Sequence, residues 1–382
     1  MHIVADENMP FAAEAFSKLG LVRLVPGRSM SAETVRGADI LAVRSVTRVG
    51  RDLLEGSAVR FVGTATIGTD HVDREWLAGR GIGFSSAPGC NAVSVAEYVC
   101  AALFVLSRRL GFSLRGKKLG IVGVGNVGSR VSTRAEALGL QVVWNDPPLA
   151  EKTGDPRYRT LEDIFDCDII TLHVPLEKSG PHPTHHLLDE AFLYRLKTGA
   201  IVFNTSRGAV ADNAALEDAL DSGRVMAAVL DVWEGEPEVR LSLLEKIAVA
   251  TPHIAGYSFD GKVRGTSMIF ESACRHFGRE AAWNPANLMP PPHLERIPLE
   301  PADDEKAVGD AVLAAYPILE DDARMRLMKN LRAGERAAYF DRMRKQYWTR
   351  REFEAFTVEL GGTGRTAVGT LEKLGFRVEA NC

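Results

Sequence analysis

The sequence predicts an α/β protein with two doubly wound parallel-sheet domains and a small α+β C-terminal domain. Three observations carry this reading. Short apolar runs alternate with helical patterns from His2 to Leu110, and a second such series begins at Lys118 with a glycine-rich turn, GVGNVG. After Trp283 the composition shifts to the proline-rich NPANLMPPPHLERIPLEP. At roughly 100–200 residues per domain, a chain of 382 residues suits two or three domains.

In the first series His2–Ala5 reads as a strand and Phe11–Leu19 as a helix; Ile40–Arg44, Val59–Gly63 and Ile82–Ser85 read as further strands. Ala92 to Leu110 follows as one long apolar helix. Strands separated by helices imply parallel βαβ units. In the second series, helix Ser129–Leu138 precedes strand Gln141–Asn145, and helix Leu161–Phe165 precedes strand Asp168–His173. Helix Asp189–Leu196, strand Ala200–Asn204, helix Asn213–Ser222 and strand Met226–Asp231 complete it. The proline-rich segment reads as a linker, because proline removes a backbone donor and suits neither a helix interior nor a central strand. Beyond it, Asp304–Tyr316, Asp321–Leu331 and Ala333–Arg344 are expected as helices, and Phe356–Leu360 and Phe376–Ala380 as strands.

Composition excludes several function classes. The chain carries 50 acidic and 46 basic residues, a formal net charge of −4, so it is not a generally basic nucleic-acid-coating protein. No stretch approaches the roughly 20 apolar residues that cross a bilayer. The opening MHIVADENMP lacks a basic segment followed by an apolar one, so no secretory leader is expected. Cys90, Cys100, Cys167, Cys274 and Cys382 are scattered, which suits neither a disulfide framework nor a cysteine zinc site. A cytoplasmic location is the expectation, with no membrane and no nucleic-acid partner.

Gly123, Gly125 and Gly128 form G-x-G-x-x-G between a strand and a helix, as in a Rossmann-like nucleotide site. The first glycine permits the tight turn, the second admits a pyrophosphate, and the third lets helix and strand pack closely. The helix N-terminus then offers free N–H groups to the phosphates. Asp146 closes the next strand, where it can accept hydrogen bonds from ribose hydroxyls and repel a 2′-phosphate, favouring NAD over NADP. The alternative for Asp146 is a turn residue ahead of two prolines.

Three more strand ends carry chemistry. Asn204, Ser206 and Arg207 follow Ala200–Phe203, Asp231 and Glu236 follow Met226–Leu230, and His253 follows Ile247–Ala250. Each has an ordinary reading alone: a surface charge, a turn cap, a satisfied core histidine. Together beside a dinucleotide turn they suit hydride chemistry on a 2-hydroxy acid. Histidine accepts the hydroxyl proton, a carboxylate orients the ring, and arginine grips the substrate carboxylate with two prongs.

At this point GVGNVG, HVPL at His173–Leu176, NTSRGAVAD at Asn204–Asp212, LDVWEGEP at Leu230–Pro237 and TPHIAG at Thr251–Gly256 resemble the D-2-hydroxyacid dehydrogenases, in order. The resemblance implies Arg207, Glu236 and His253 as catalytic. It implies cofactor contacts at Asn126, Val127, Asp146, Thr205, Ser206, Asp231 and Gly256, besides the three glycines, with NAD as cofactor. It implies a substrate domain of residues 1–92 and 257–283, an NAD-binding domain of 93–256 and a C-terminal dimerisation domain of 284–382. IVADENMP, VRSVTRV at Val43–Val49, GTATIGTDHVD at Gly63–Asp73, the tyrosine of AGYS and the extra tail resemble one branch of that family. That closer likeness implies a small phosphorylated hydroxy acid as substrate, with Ser45, Thr66 and Tyr257 in contact with it, and a homodimer. Arg44 or Arg48 is a candidate for the phosphate, against the alternative of a solvated charge.

Other signals are discounted. His182, His185 and His186 lie in a proline-broken loop without nearby cysteine, so no metal site is expected. His173 is expected as a strand-end histidine bonded to backbone. The basic run Arg342–Glu352 is expected as a charged helix face with Tyr347 and Trp348 buried, rather than a nucleic-acid contact. The remaining alternatives are a dehydrogenase for another acid, such as 3-phosphoglycerate, and a non-catalytic NAD-sensing interaction protein.

Overall fold

In the computed structural model, which describes residues 1–299, 303–361 and 365–381, the chain forms two compact units. The first comprises Met1–Ala92 and Tyr257–Pro290, the second Val93–Gly256 and Pro291–Cys382.

The first unit is built on β1 (His2–Asp6), β2 (Leu21–Val25), β3 (Ile40–Val43), β4 (Phe61–Thr64) and β5 (Gly83–Ser85). They form one sheet in the order β2-β1-β3-β4-β5, with every pairing parallel. Alternate side chains of each strand face opposite layers. Ile3, Ala5, Ile40, Ala42 and Phe61 pack against Phe16 and against Ile269, Phe270 and Ala273 of the returning helix Phe259–His276. Val4, Leu41, Val43 and Val62 pack against Val35, Leu53, Leu54 and Leu77 on the other face. β2 escaped the sequence reading: it is an edge strand whose Leu21 and Leu24 are exposed, so its apolar residues carry no burial period.

The second unit holds β6 (Lys118–Val122), β7 (Gln141–Asn145), β8 (Ile169–Leu172), β9 (Ala200–Asn204), β10 (Val225–Leu230) and β11 (Val249–Ala250). Their order is β11-β10-β9-β8-β6-β7, again all parallel. The strands end in step: Asn145 pairs with Val122, Val122 with Leu172, Leu172 with Asn204, Asn204 with Leu230 and Leu230 with Ala250. Every loop expected to carry chemistry in this unit therefore leaves the same edge of one sheet, where open parallel sheets bind ligands.

A third sheet, β12 (Arg296–Leu299), β13 (Thr357–Gly361) and β14 (Arg377–Asn381), is parallel in sequence order. Parallel neighbours need crossovers. Helices between 304 and 345 make the first, and Arg365–Leu374, which sequence reading missed, makes the second. The segment read as a linker thus contains a strand; β12 lies at the sheet edge, where Pro298 is tolerated. The tail is no appendage, since Met325, Met328 and Phe340 share a core with Leu230, Trp233, Leu243 and Ala250.

The basic run departs from expectation. Its helix stops at Lys345, Tyr347 and Trp348 are only half-buried, and Arg350 beyond them is fully buried. No helix among the described residues is long and apolar enough to cross a membrane.

Candidate active site

The glycine-rich turn joins β6 to the helix Asn126–Ala137, with Gly125 at its N-cap. Gly123 has φ +89, and a Cβ there would lie 2.6 Å from the His173 carbonyl oxygen. A Cβ on Gly128 would lie 2.0 Å from the Gly123 carbonyl oxygen, so helix and turn touch through bare backbone. At Gly125 a Cβ would meet nothing within 4 Å. Open space at the second glycine, beside the free N–H groups of a helix start, is what a pyrophosphate needs. Gly125→Val should therefore leave the fold intact and weaken NAD binding on the order of 10–100-fold; unchanged affinity in a fluorescence titration would contradict this.

Asp146 takes the turn role weighed for it. One carboxylate oxygen accepts the Val124 N–H at 2.8 Å, and the other caps the next helix through the Leu149 N–H at 3.0 Å. An ionised carboxylate has about four acceptor positions, so the turn is pinned and capacity remains for ribose hydroxyls. His173 is tied differently than expected. Its backbone bonds to Val122, while its ring lies 2.9 Å from the Thr171 hydroxyl and 3.3 Å from that of Thr205. Burial holds its pKa at about 3, so the imidazole is neutral.

Arg207 follows β9 in a loop shaped by Asn204. The Asn204 side-chain oxygen accepts from the Ser206 N–H and hydroxyl, and its amide donates to the Arg207 carbonyl. The half-buried Arg207 guanidinium donates to the Ser206 carbonyl at 2.8 Å and pairs with no carboxylate among the described residues. A Cβ on Gly208 would lie 1.9 Å from the Trp233 carbonyl oxygen, so this loop lies against the one that carries Glu236.

Glu236 and His253 meet directly: the His253 Nδ1 lies 2.5 Å from a Glu236 carboxylate oxygen. Burial pushes the Glu236 carboxyl up, but hydrogen bonding and charge from His253 and the Trp233 N–H outweigh it, leaving a net lowering. Glu236 is therefore ionised, and in the neutral histidine it favours the tautomer that donates from Nδ1, which leaves the Nε2 lone pair as the acceptor. His253 has φ +58, a left-handed conformation uncommon outside glycine and held where surroundings impose it. Asp231 imposes part of it, taking the Thr251 hydroxyl and the N–H groups of Ile254 and Ala255 at 2.7–2.9 Å. Asp231, expected at the cofactor, thus uses both oxygens on the His253 loop.

The set Arg207, Glu236 and His253 issues from three adjacent strands, β9, β10 and β11, on the same sheet edge as the glycine turn, with β8 between them and β6. Residues 98–255 match the family model for the D-isomer specific 2-hydroxyacid dehydrogenase NAD-binding domain, and 288–375 match a domain of unknown function. Over 98% of this chain and 98% of theirs, the erythronate-4-phosphate dehydrogenases of Salmonella typhimurium and Salmonella typhi are 48% identical to it. The chain belongs to the erythronate-4-phosphate dehydrogenase family. As a 2-hydroxyacid dehydrogenase it uses NAD, which its turn and Asp146 fit. The Thermus thermophilus TT0316 protein superposes with a TM-score of 0.64 at 28% identity, covering 74% of this chain and 99% of that one. The Aquifex aeolicus D-lactate dehydrogenase, complexed with NAD and lactic acid, gives 0.58 at 25% identity, covering 73% and 96%. These structures leave about a quarter of this dehydrogenase unmatched.

The expected substrate contacts belong to the first unit. Arg44 and Ser45 follow β3, half-buried and exposed respectively, and Arg48 is exposed. The Thr66 hydroxyl lies 2.9 Å from that of Thr64 and donates to the Gly68 carbonyl, while Thr64 also meets His71. The Tyr257 ring lies 4.8 Å from the Lys262 ammonium. In the histidine loop, His182 pairs with Glu151, and His186 lies between Glu234 at 2.5 Å and Asp212 at 3.8 Å. No cluster of three metal-ligating side chains occurs among the described residues.

Proposed function

We propose that this enzyme oxidises 4-phospho-D-erythronate to 2-oxo-3-hydroxy-4-phosphobutanoate in pyridoxal 5′-phosphate synthesis, with Arg207, Glu236 and His253 as its catalytic set. The observation that carries the assignment is the 2.5 Å contact between His253 and an ionised Glu236, on a loop held in a left-handed turn. Arg207 holds the substrate carboxylate in a two-pronged contact. The His253 Nε2 accepts the proton of the C2 hydroxyl, and Glu236 stabilises the imidazolium that forms. As the O–H bond breaks, the C2–O double bond forms. When bound, NAD accepts the hydride leaving C2. Charge is conserved: hydride to the nicotinamide, proton to the histidine.

The glycines, Asn126, Val127, Asp146, Thr205, Ser206, Asp231 and Gly256 are assigned to the cofactor. Arg44, Ser45, Thr66 and Tyr257 are assigned to the substrate, in a substrate domain of residues 1–92 and 257–283. Residues 284–382 form the contact of a cytoplasmic homodimer. A mass of one chain in sedimentation equilibrium would contradict the dimer.

NADH absorbance with a panel of acids tests the substrate. The expected result is a kcat/KM for 4-phospho-D-erythronate at least about 100-fold above that for 3-phosphoglycerate, the discrimination polar contacts readily supply. Equal values would overturn the assignment. NAD binding without turnover of any hydroxy acid would instead indicate an NAD-sensing protein.

A further inference from the structure

Arg350 is fully buried, and it comes from the tail, far along the chain from the groups it touches. It donates to the Ser94 carbonyl at 2.6 Å and to the Ala255 carbonyl at 3.3 Å. Its guanidinium carbon sits 4.0 Å from the Tyr316 ring centre. Glu97 lies 4.0 Å away and accepts the Phe353 N–H, while the buried Glu352 accepts the Ser94 hydroxyl. Taking a guanidinium wholly out of water costs several kcal/mol unless its partners compensate. The chain could have ended this segment in an apolar residue at lower cost.

The location of its acceptors supplies a reason. Ala255 closes the loop Thr251–Gly256 that carries His253. The other end of that loop is also gripped by the tail: Asp322, itself buried, accepts the Ala250 N–H at 2.8 Å. Between these ends Asp231 holds the loop's N–H groups, and Tyr98 meets the Thr251 hydroxyl at 2.7 Å. Asp231 takes the donors of Ile254 and Ala255, and Arg350 takes the acceptor of Ala255. A left-handed histidine needs such over-determination, since that conformation persists only where the surroundings impose it.

We propose that Arg350 is a positioning residue for catalysis: by clamping the Ala255 carbonyl to Ser94 it fixes the loop that aims His253. The tail, which a domain model of unknown function matches over residues 288–375, therefore has a role within its own chain besides assembly. The proposal rests on His253 being the proton acceptor.

The test uses the full-length enzyme with Arg350→Met, which keeps the stem and removes the donors, and Arg350→Lys, which keeps the charge opposite Glu97 but lacks the fork. In the methionine variant kcat should fall on the order of 10–100-fold, the effect of a reacting group misplaced by about 1 Å. The NAD dissociation constant should stay within about threefold of wild type and the circular dichroism should be unchanged, because the glycine turn is untouched. The lysine variant should lie between. A folded methionine variant with wild-type kcat would overturn the proposal. So would parallel loss of kcat, NAD affinity and folded signal in both variants, which would assign Arg350 to stability alone. His253→Gln measured alongside separates the two ideas: if it stays active the proton-acceptor reading fails, whereas an inactive His253→Gln beside a fully active Arg350→Met sinks only the positioning role.

Discussion

His253→Gln should lower kcat on the order of 10²–10⁴-fold, the span a positioned general base contributes, while leaving NAD affinity nearly unchanged. Glutamine keeps the polarity and much of the volume but cannot take the hydroxyl proton. The pH profile supplies a second readout. In the oxidation direction only the neutral imidazole accepts a proton, so wild-type kcat should fall as the solution is acidified and His253 becomes protonated. That limb should vanish in the variant. Glu236 does not contribute to it, because its carboxyl is held below the usual glutamate range by His253 against the opposing effect of burial. The sign follows: the stability gained from the ionised carboxylate is fully present above the ordinary glutamate value and is lost only as pH falls through the lower folded value. The carboxylate that partners His253 is thus ionised throughout the range above the ordinary glutamate value. Wild-type kcat in a folded His253→Gln would contradict the assignment.

Arg207→Ala should carry the second large effect, through the substrate rather than the proton. The guanidinium has no carboxylate partner of its own among the described residues, so its charge is available to an acid. A hydrogen bond to a charged group is worth about 1.5–3 kcal/mol. Losing a two-pronged contact should therefore lower kcat/KM on the order of 10²–10⁴-fold, at about 1.4 kcal/mol per tenfold. Arg207→Lys should recover part of this, since an ammonium keeps the charge and loses the fork. The backbone around Arg207 is set by Asn204 and by contact with the Trp233 carbonyl, so the loop should persist in both variants. An alanine variant with unchanged kcat/KM would place the carboxylate elsewhere.

The residues legible in the sequence are those whose role is local. Gly123, Gly125 and Gly128 announce a turn because their spacing is read within six residues, even though the atom that crowds Gly123 belongs to the distant His173. Arg207, Glu236 and His253 could be grouped because parallel strands end together, a consequence of topology that alternating apolar runs already imply. What stayed hidden depends on partners distant in sequence. The β2 strand is apolar yet exposed at an edge, so its pattern carried no face. Arg350 stood in a basic run that reads as a solvated helix, and its acceptors, Ser94 and Ala255, lie 256 and 95 positions away. Nothing near Arg350 or Asp322 in the sequence marks them as supports of a catalytic loop. Asp231 was placed near the cofactor by resemblance, whereas its three hydrogen bonds to the His253 loop became visible only in three dimensions.

The most direct test of the central assignment is a crystal structure of the enzyme with NAD and 4-phospho-D-erythronate bound. The C2 hydroxyl should lie about 2.6–3.2 Å from the His253 Nε2, within reach for proton transfer, with the carboxylate on the Arg207 guanidinium and C2 facing the nicotinamide. A substrate bound with its hydroxyl directed away from His253, or its carboxylate held by another cation, would contradict the account.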